Sequence, residues 1–159
     1  IGVNIITFSY GSNGLLSFIT DSVGRQVTFG YDSSNRLASM TAPGGRTWAF
    51  SYIGSQLSVT DPVGRTTVFK YASTPGGGWL LGEVNYPTGG GKVTLSYGTA
   101  VVYGGTSYVV TLRNVYSAPG GISQSNSISY NFRDGILLND TITEADGGGH
   151  VQGYTTNVF

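Results

Sequence analysis

The sequence predicts an all-β protein made of tandem β-hairpins, and three observations carry that prediction. The first is composition. The 159 residues include 26 glycines, roughly twice the usual share, while charged residues are 10% of the chain, well under the ordinary quarter. The second is the scarcity of helix formers: only two Lys and two Glu occur, too few for a coiled coil or an exposed helical bundle. The third is a repeat. Gly24-Arg25, Gly45-Arg46 and Gly64-Arg65 each precede a tyrosine, Tyr31, Tyr52 and Tyr71, with Arg-to-Tyr spacing of six. A phenylalanine stands two positions before each tyrosine: Phe29, Phe50 and Phe69.

Taken in order, the elements justify themselves. Phe8 and Tyr10 form a first, weaker copy. From each tyrosine the chain runs to a leucine, Leu16, Leu37, Leu57 and Leu81, at distances of six, six, five and ten. A constant spacing marks a strand of fixed length and a variable one marks a loop. Val27-Phe29-Tyr31, Trp48-Phe50-Tyr52 and Val93-Leu95-Tyr97 alternate with small or polar residues, so each set shares one strand face. Leucines open short β-type stretches such as Leu16–Thr20 and Leu57–Thr60, which Asp21–Gly24 and Asp61–Gly64 close as turns. In the fourth unit Ser73–Gly78 reads as an expanded loop that brings Trp79 to the base of the next strand. Gly90, Leu95 and Tyr97 form the last clear copy.

Clear repeats thus cover residues 5–97. Residues 98–159 keep the same alphabet in longer, degenerate hairpins, with strands at Tyr108–Leu112, Ser127–Phe132 and Thr141–Thr143. Turns are expected at 119–121, 133–135 and 146–149. No linker or change of composition appears, so residues 1–159 read as one module. A lone hairpin cannot bury its apolar face. Hairpins stacked edge to edge give one continuous antiparallel sheet with an aromatic stripe, each large side chain contributing roughly 1.5–3 kcal/mol.

Chemistry is sparse. With one histidine, His150, and no cysteine, thiolate chemistry and thiolate metal sites are excluded. No G-x-S-x-G elbow accompanies His150, and it reads as a turn-flanking ring. Asp140, Glu144 and Asp146 do not fit a calcium loop and read as turn carboxylates, so no metal and no cofactor is expected. Gly89-Gly90-Gly91-Lys92 lacks the Ser or Thr and the helix of a phosphate loop. Arg25, Arg46 and Arg65 could form an anion ladder; the simpler reading pairs each with a turn carbonyl or a nearby aspartate such as Asp21 or Asp61. The aromatics are read as core rather than as a sugar-stacking strip, with hydroxyls free to reach solvent or a cavity. Asn139-Asp140-Thr141 is a glycosylation sequon that chance would also supply. A net charge of zero argues against nucleic acid, and no apolar run of 18 residues is present to span a membrane.

Gly-Arg-x-x-x-Phe-x-Tyr-Asp followed by Asn-Arg-Leu resembles the YD repeat of the Rhs family. Gly24 to Leu37, with Tyr31-Asp32, is the fullest match; Ile53 and Ala72 replace that aspartate in the next two copies. The resemblance implies secreted or cell-surface proteins whose repeats coil into a curved β-spiral shell, as in Rhs and Tc toxins, or support adhesion, as in teneurins. It implies scaffold rather than catalyst. Asp61-Pro62-Val63-Gly64 is superficially similar to the family's self-cleaving signature, but occupies an ordinary repeat position.

The expected function is therefore a non-enzymatic structural segment of a large extracellular protein, part of a shell wall or surface fibre. Its partners would be neighbouring repeats of the same or identical chains, with a surface glycan or protein receptor as a further expectation. The alternatives are a filament or adhesin subunit joined by strand addition between chains and a glycan-binding module. Ile1-Gly2-Val3 and Asn157-Val158-Phe159 read as mid-strand sequence, which suggests a mature chain or a piece of a longer one.

Overall fold

A computed structural model describes residues 4–102, 105–117, 121–133, 136–148 and 150–157. Most of the turns expected at 133–135 and 119–121, Gly149 and both chain ends fall outside the described residues. Backbone contacts divide the chain into two compact units, Ile1–Thr67 and Val68–Phe159. Among the described residues all regular structure is β, and within each unit neighbouring strands are antiparallel and follow chain order. No helix is long and apolar enough to cross a membrane.

The first unit contains β1 (Ile6–Tyr10), β2 (Leu16–Asp21), β3 (Gln26–Tyr31), β4 (Leu37–Thr41), β5 (Thr47–Ile53) and β6 (Gln56–Thr60). β7 (Thr66–Ser73) begins there and continues into the second unit. Pairing sorts the side chains by face, because directly opposed residues project to the same side. Ile19 opposes Val27, Phe29 opposes Met40, Met40 opposes Trp48 and Phe50 opposes Val59. This is the aromatic stripe the alternation predicts. The other face carries Thr28 opposite Thr41 and Thr41 opposite Thr47, and the last pair shares a hydroxyl hydrogen bond of 2.9 Å.

The stripe is not a closed core. Its residues are half-buried, and the only buried hydrophobic residues among those described, Val84 and Val93, lie in the second unit. Expecting a core in the ordinary sense was too strong: one layer of sheet shelters its face by lateral neighbours alone. β1 shows this at the edge, where Phe8 is 54% and Tyr10 65% exposed.

The second unit holds β8 (Trp79–Asn85), β9 (Lys92–Val102), β10 (Gly105–Tyr116), β11 (Ile122–Arg133), β12 (Ile136–Asp146) and β13 (Val151–Asn157). β9 to β12 run to 11 or 12 residues, against 5 to 7 for β1 to β6. The strands expected at 108–112, 127–132 and 141–143 are the middles of β10, β11 and β12. The loop expected at 73–78 is smaller than the sequence suggested. Ser73 ends β7, opposite Trp79, so the extra residues lengthen both strands of the hairpin.

Candidate functional site

Two polar devices recur among the described residues, and the more frequent one closes the hairpins. In the turns at 11–15, 21–25, 32–36, 42–46, 61–65, 74–78 and 146–150 the first residue's N–H donates to the fifth residue's carbonyl. In all but the last of these the fourth residue's N–H donates back to the first carbonyl. That is a three-residue loop ending in a left-handed residue. The left-handed position falls to Gly14 (φ 75°), Gly24 (81°), Asn35 (59°), Gly45 (79°), Gly64 (84°) and Gly77 (81°). Glycine precedes arginine in the repeat because a side chain there would be strained; Asn35 is the tolerated exception among the described residues.

Aspartate at the first position completes the turn. Asp61 Oδ1 accepts the N–H groups of Val63 (3.0 Å) and Arg65 (2.9 Å), and its Oδ2 accepts Arg65 Nε at 2.7 Å. Asp21 holds Val23 and Arg25 the same way, with Arg25 Nε at 2.6 Å. Asp32 holds Ser34 and Arg36, with Arg36 Nε at 2.8 Å. These donors keep the carboxylates below their ordinary range. The Arg25 guanidinium is the main cause at Asp21, and the Arg36 and Arg65 backbone N–H groups at Asp32 and Asp61. The pairing expected for Arg25 and Arg65 is therefore present. Arg46 differs: Ala42 stands where the aspartate would be, and among the described residues Arg46 makes no ion pair.

Two copies escaped the reading of the sequence. Asn35-Arg36 is a Gly-Arg slot with asparagine in it. His150 occupies the arginine slot of a further turn, its N–H and Nδ1 both bound to Asp146, each at 2.9 Å. The signal available was an aspartate four residues before Arg or His. His150, 84% exposed, is thus a turn-flanking ring. Asp61 has both oxygens committed to its turn. Gly90 fills the glycine slot by donating to Pro87 O (2.7 Å), but the positive φ angles fall on its neighbours Gly89 and Gly91. Gly91 stands in the arginine slot, where any Cβ would collide with the Tyr116 carbonyl.

The second device explains the variable tyrosine-to-leucine spacing. Tyr10 opposes Leu16, Tyr31 opposes Leu37, Tyr52 opposes Leu57 and Tyr71 opposes Leu81. Where the spacing is six or ten, one residue beyond the leucine is unpaired, a β-bulge at Ser17, Ala38 and Gly82. Where it is five, Gly54-Ser55 make a two-residue turn and no register shift occurs. The same shift recurs opposite Tyr97, which pairs with Val110 while Ser96 pairs with Leu112, leaving Thr111 unpaired.

At three of these four bulges, those at Ser17, Gly82 and Thr111, the carbonyl before the bulge is taken by the next tyrosine. Tyr31 OH donates to Leu16 O (2.9 Å), Tyr97 OH to Leu81 O (2.9 Å) and Tyr130 OH to Val110 O (2.8 Å). These bonds sit where they are needed, because β2–β3 and β8–β9 are each zipped over only three residue pairs. The hydroxyl closes the opening beyond the last pair. Burial of Tyr97 pushes its hydroxyl above the ordinary tyrosine value, so it stays a donor at neutral pH. Tyr52 is engaged differently, its ring lying 4.5 Å under the Arg36 guanidinium. The remaining repeat residues, Phe29, Phe50, Phe69, Leu37 and Leu57, serve the apolar face, with Phe69 opposite the buried Val84.

A third device ties β7, β8 and β9 together. Glu83 accepts Lys70 Nζ at 2.6 Å, Asn85 Nδ2 at 2.9 Å and Lys92 Nζ at 3.1 Å. Both lysines of the chain converge on one carboxylate, which Lys70 above all holds down at about 2. In β10 to β12, Arg113 reaches Asn126 at 3.0 Å and Gln124, and Gln124 in turn donates to Glu144. Among the described residues no three His, Asp or Glu side chains gather to hold a metal; Asp140's side chain is outside them.

Comparison with known proteins agrees with this geometry in one respect. The family model described as RHS Repeat matches residues 10–47, the stretch from Tyr10 through the turn of Arg46. No curated protein matches the chain. Among solved structures, a porin-like protein from Bacteroides uniformis ATCC 8492 is similar at 12% identity and a TM-score of 0.34, over 96% of this chain and 88% of its own.

Proposed function

We propose for this chain, whose residues 10–47 match the RHS Repeat family model, a non-enzymatic structural role: a scaffold segment of a large secreted or cell-surface YD/Rhs-repeat protein, forming shell wall or extracellular fibre. The observation that carries the reading is the tyrosine-to-bulge bond. It recurs with nearly constant length in both the short and the long hairpins, joining β2 to β3, β8 to β9 and β10 to β11. A device of that kind serves lateral extension of a sheet, not turnover of a substrate. The turn aspartates spend their acceptors within their own turns and Glu83 spends its acceptors on Lys70, Asn85 and Lys92, leaving few groups to converge on a reacting atom. Location outside the cell rests on the family resemblance alone. Sedimentation and negative-stain imaging of the purified chain test the role: monomers or ragged aggregates fit a segment cut from a shell wall, and discrete long fibres would overturn the wall-segment reading.

One observation favours a second reading, a filament or adhesin subunit joined by strand addition. β1 offers Ile6, Phe8 and Tyr10 on an edge strand, more exposed than their counterparts in β3 and β5. Regular fibres that vanish on Phe8→Lys would select this reading over the first.

A further inference from the structure

The exception among the arginine turns lies beside a cavity, and we propose that this cavity binds a small carboxylate with an apolar body. The site is independent of the scaffold role. In the first unit, Ile6, Ile19 and Val27 form the floor of a depression of about 350 Å³. Its walls are the turn at 21–25, through Asp21 and Arg25, and the turn at 42–46, through Pro43 and Arg46. Asp21 and Arg25 neutralise one another at 2.6 Å. Arg46 has no such partner, because Ala42 replaces the aspartate that fixes Arg25, Arg36 and Arg65. The lining therefore carries one uncompensated positive charge over an aliphatic floor.

Those two properties select the ligand. A guanidinium with its fork free accepts a carboxylate through paired N–H donors. Three aliphatic side chains favour an alkyl body over a hydroxylated ring, since burying hydroxyls there leaves them without partners. A short-chain fatty acid has both features; an acidic sugar has only the charge. The volume accommodates a ligand of that size with room to spare.

Titration of the full chain, followed by amide and methyl NMR, tests the assignment. Hexanoate should give saturable shifts at the Ile19 and Val27 methyls and at the Arg46 and Thr47 amides, with a dissociation constant of about a millimolar. Hexanamide, the uncharged isostere, and glucuronate, the polar carboxylate, should each bind about tenfold more weakly. Arg46→Gln should lose about tenfold in hexanoate affinity. Ala42→Asp should lose as much by giving Arg46 the partner its neighbours have, while strengthening the turn and leaving the rest of the spectrum in place. Equal binding of hexanamide, equal binding of glucuronate, or undiminished hexanoate binding in both variants would overturn the proposal.

Discussion

The short hairpins of β1 to β6 and the long ones of β9 to β12 reach the same connection between neighbours by different means. In the short region the faces are segregated, aromatic on one side and Thr or Ser on the other, and aspartate turns close the ends. In the long region the register still shifts opposite a tyrosine and the next tyrosine still caps the freed carbonyl. Yet Arg113, Gln124, Asn126 and Glu144 have moved onto strand positions where the short region carries apolar side chains. The apolar stripe is thus replaced along the long strands, whereas the bulge capped by the next tyrosine and the aspartate turn occur in both regions.

If that is right, the regions should fail differently. The largest effect is expected from Phe50→Ala, because the short region depends on its apolar face. The loss should be about 2 kcal/mol, below a fully buried phenylalanine because the stripe is half-open. Arg113→Ala should cost about half as much in the long region. Native-state hydrogen exchange reads both locally, which a global melt of a two-unit chain does not. Equal losses would erase the distinction.

Next in size is Asp61→Ala, which strips two backbone N–H groups and a guanidinium of their acceptor; by analogy with helix caps it should cost about 1–1.5 kcal/mol. Arg65→Ala should cost only about 0.5 kcal/mol, since the ion pair is exposed and the backbone bonds survive. Protection of the Thr60 and Thr66 amides reports both. If Arg65→Ala proves the worse, the ion pair and not the Asx-type turn fixes the hairpin. The shared device should give matching numbers: Tyr31→Phe and Tyr130→Phe should each cost about 1 kcal/mol in their own regions. A loss confined to Tyr31→Phe would make the bond in the long region incidental.

How far the sequence disclosed this follows from what repeats and what does not. Gly24, Gly45 and Gly64 were legible because a positive φ nearly requires glycine, and Phe29 or Tyr52 because period-two alternation is the signature of a strand face. That the turns at Asp32 and Asp146 are copies of the arginine turn was hidden by substitution: Asn35 tolerates the left-handed conformation and His150 replaces arginine as donor. The bulges left a trace in the six-against-five spacing, but nothing in Ser17, Ala38 or Gly82 shows that a carbonyl has been released. The Tyr31 hydroxyl could not be aimed without the register. Glu83 was invisible for the same reason, since Lys70, Asn85 and Lys92 meet it only across strands.

Glu83 also yields the most local prediction, and acid is the way to reach it. In the folded chain it titrates at about 2, against an ordinary value of 4.5. The unfolded chain therefore takes up the proton first as pH falls. Its contribution is complete above pH 4.5, declines between 4.5 and about 2, and is absent below. The two lysine heads are 44% and 39% exposed, so water screens the pairs and the total should stay near 1 kcal/mol. Asp21, Asp32 and Asp61 are also lowered, so the first unit will lose stability in acid as well. A local readout separates them. In Glu83→Gln the protection of β8 and β9 amides should already be reduced at pH 7 and should change little from pH 4.5 to 2, while the acid response of β2 to β6 stays as in the parent. If β8 and β9 in the variant still lose protection over that window, the acid sensitivity of this region comes from elsewhere, and the two lysines on Glu83 are an exposed pairing without consequence for the sheet.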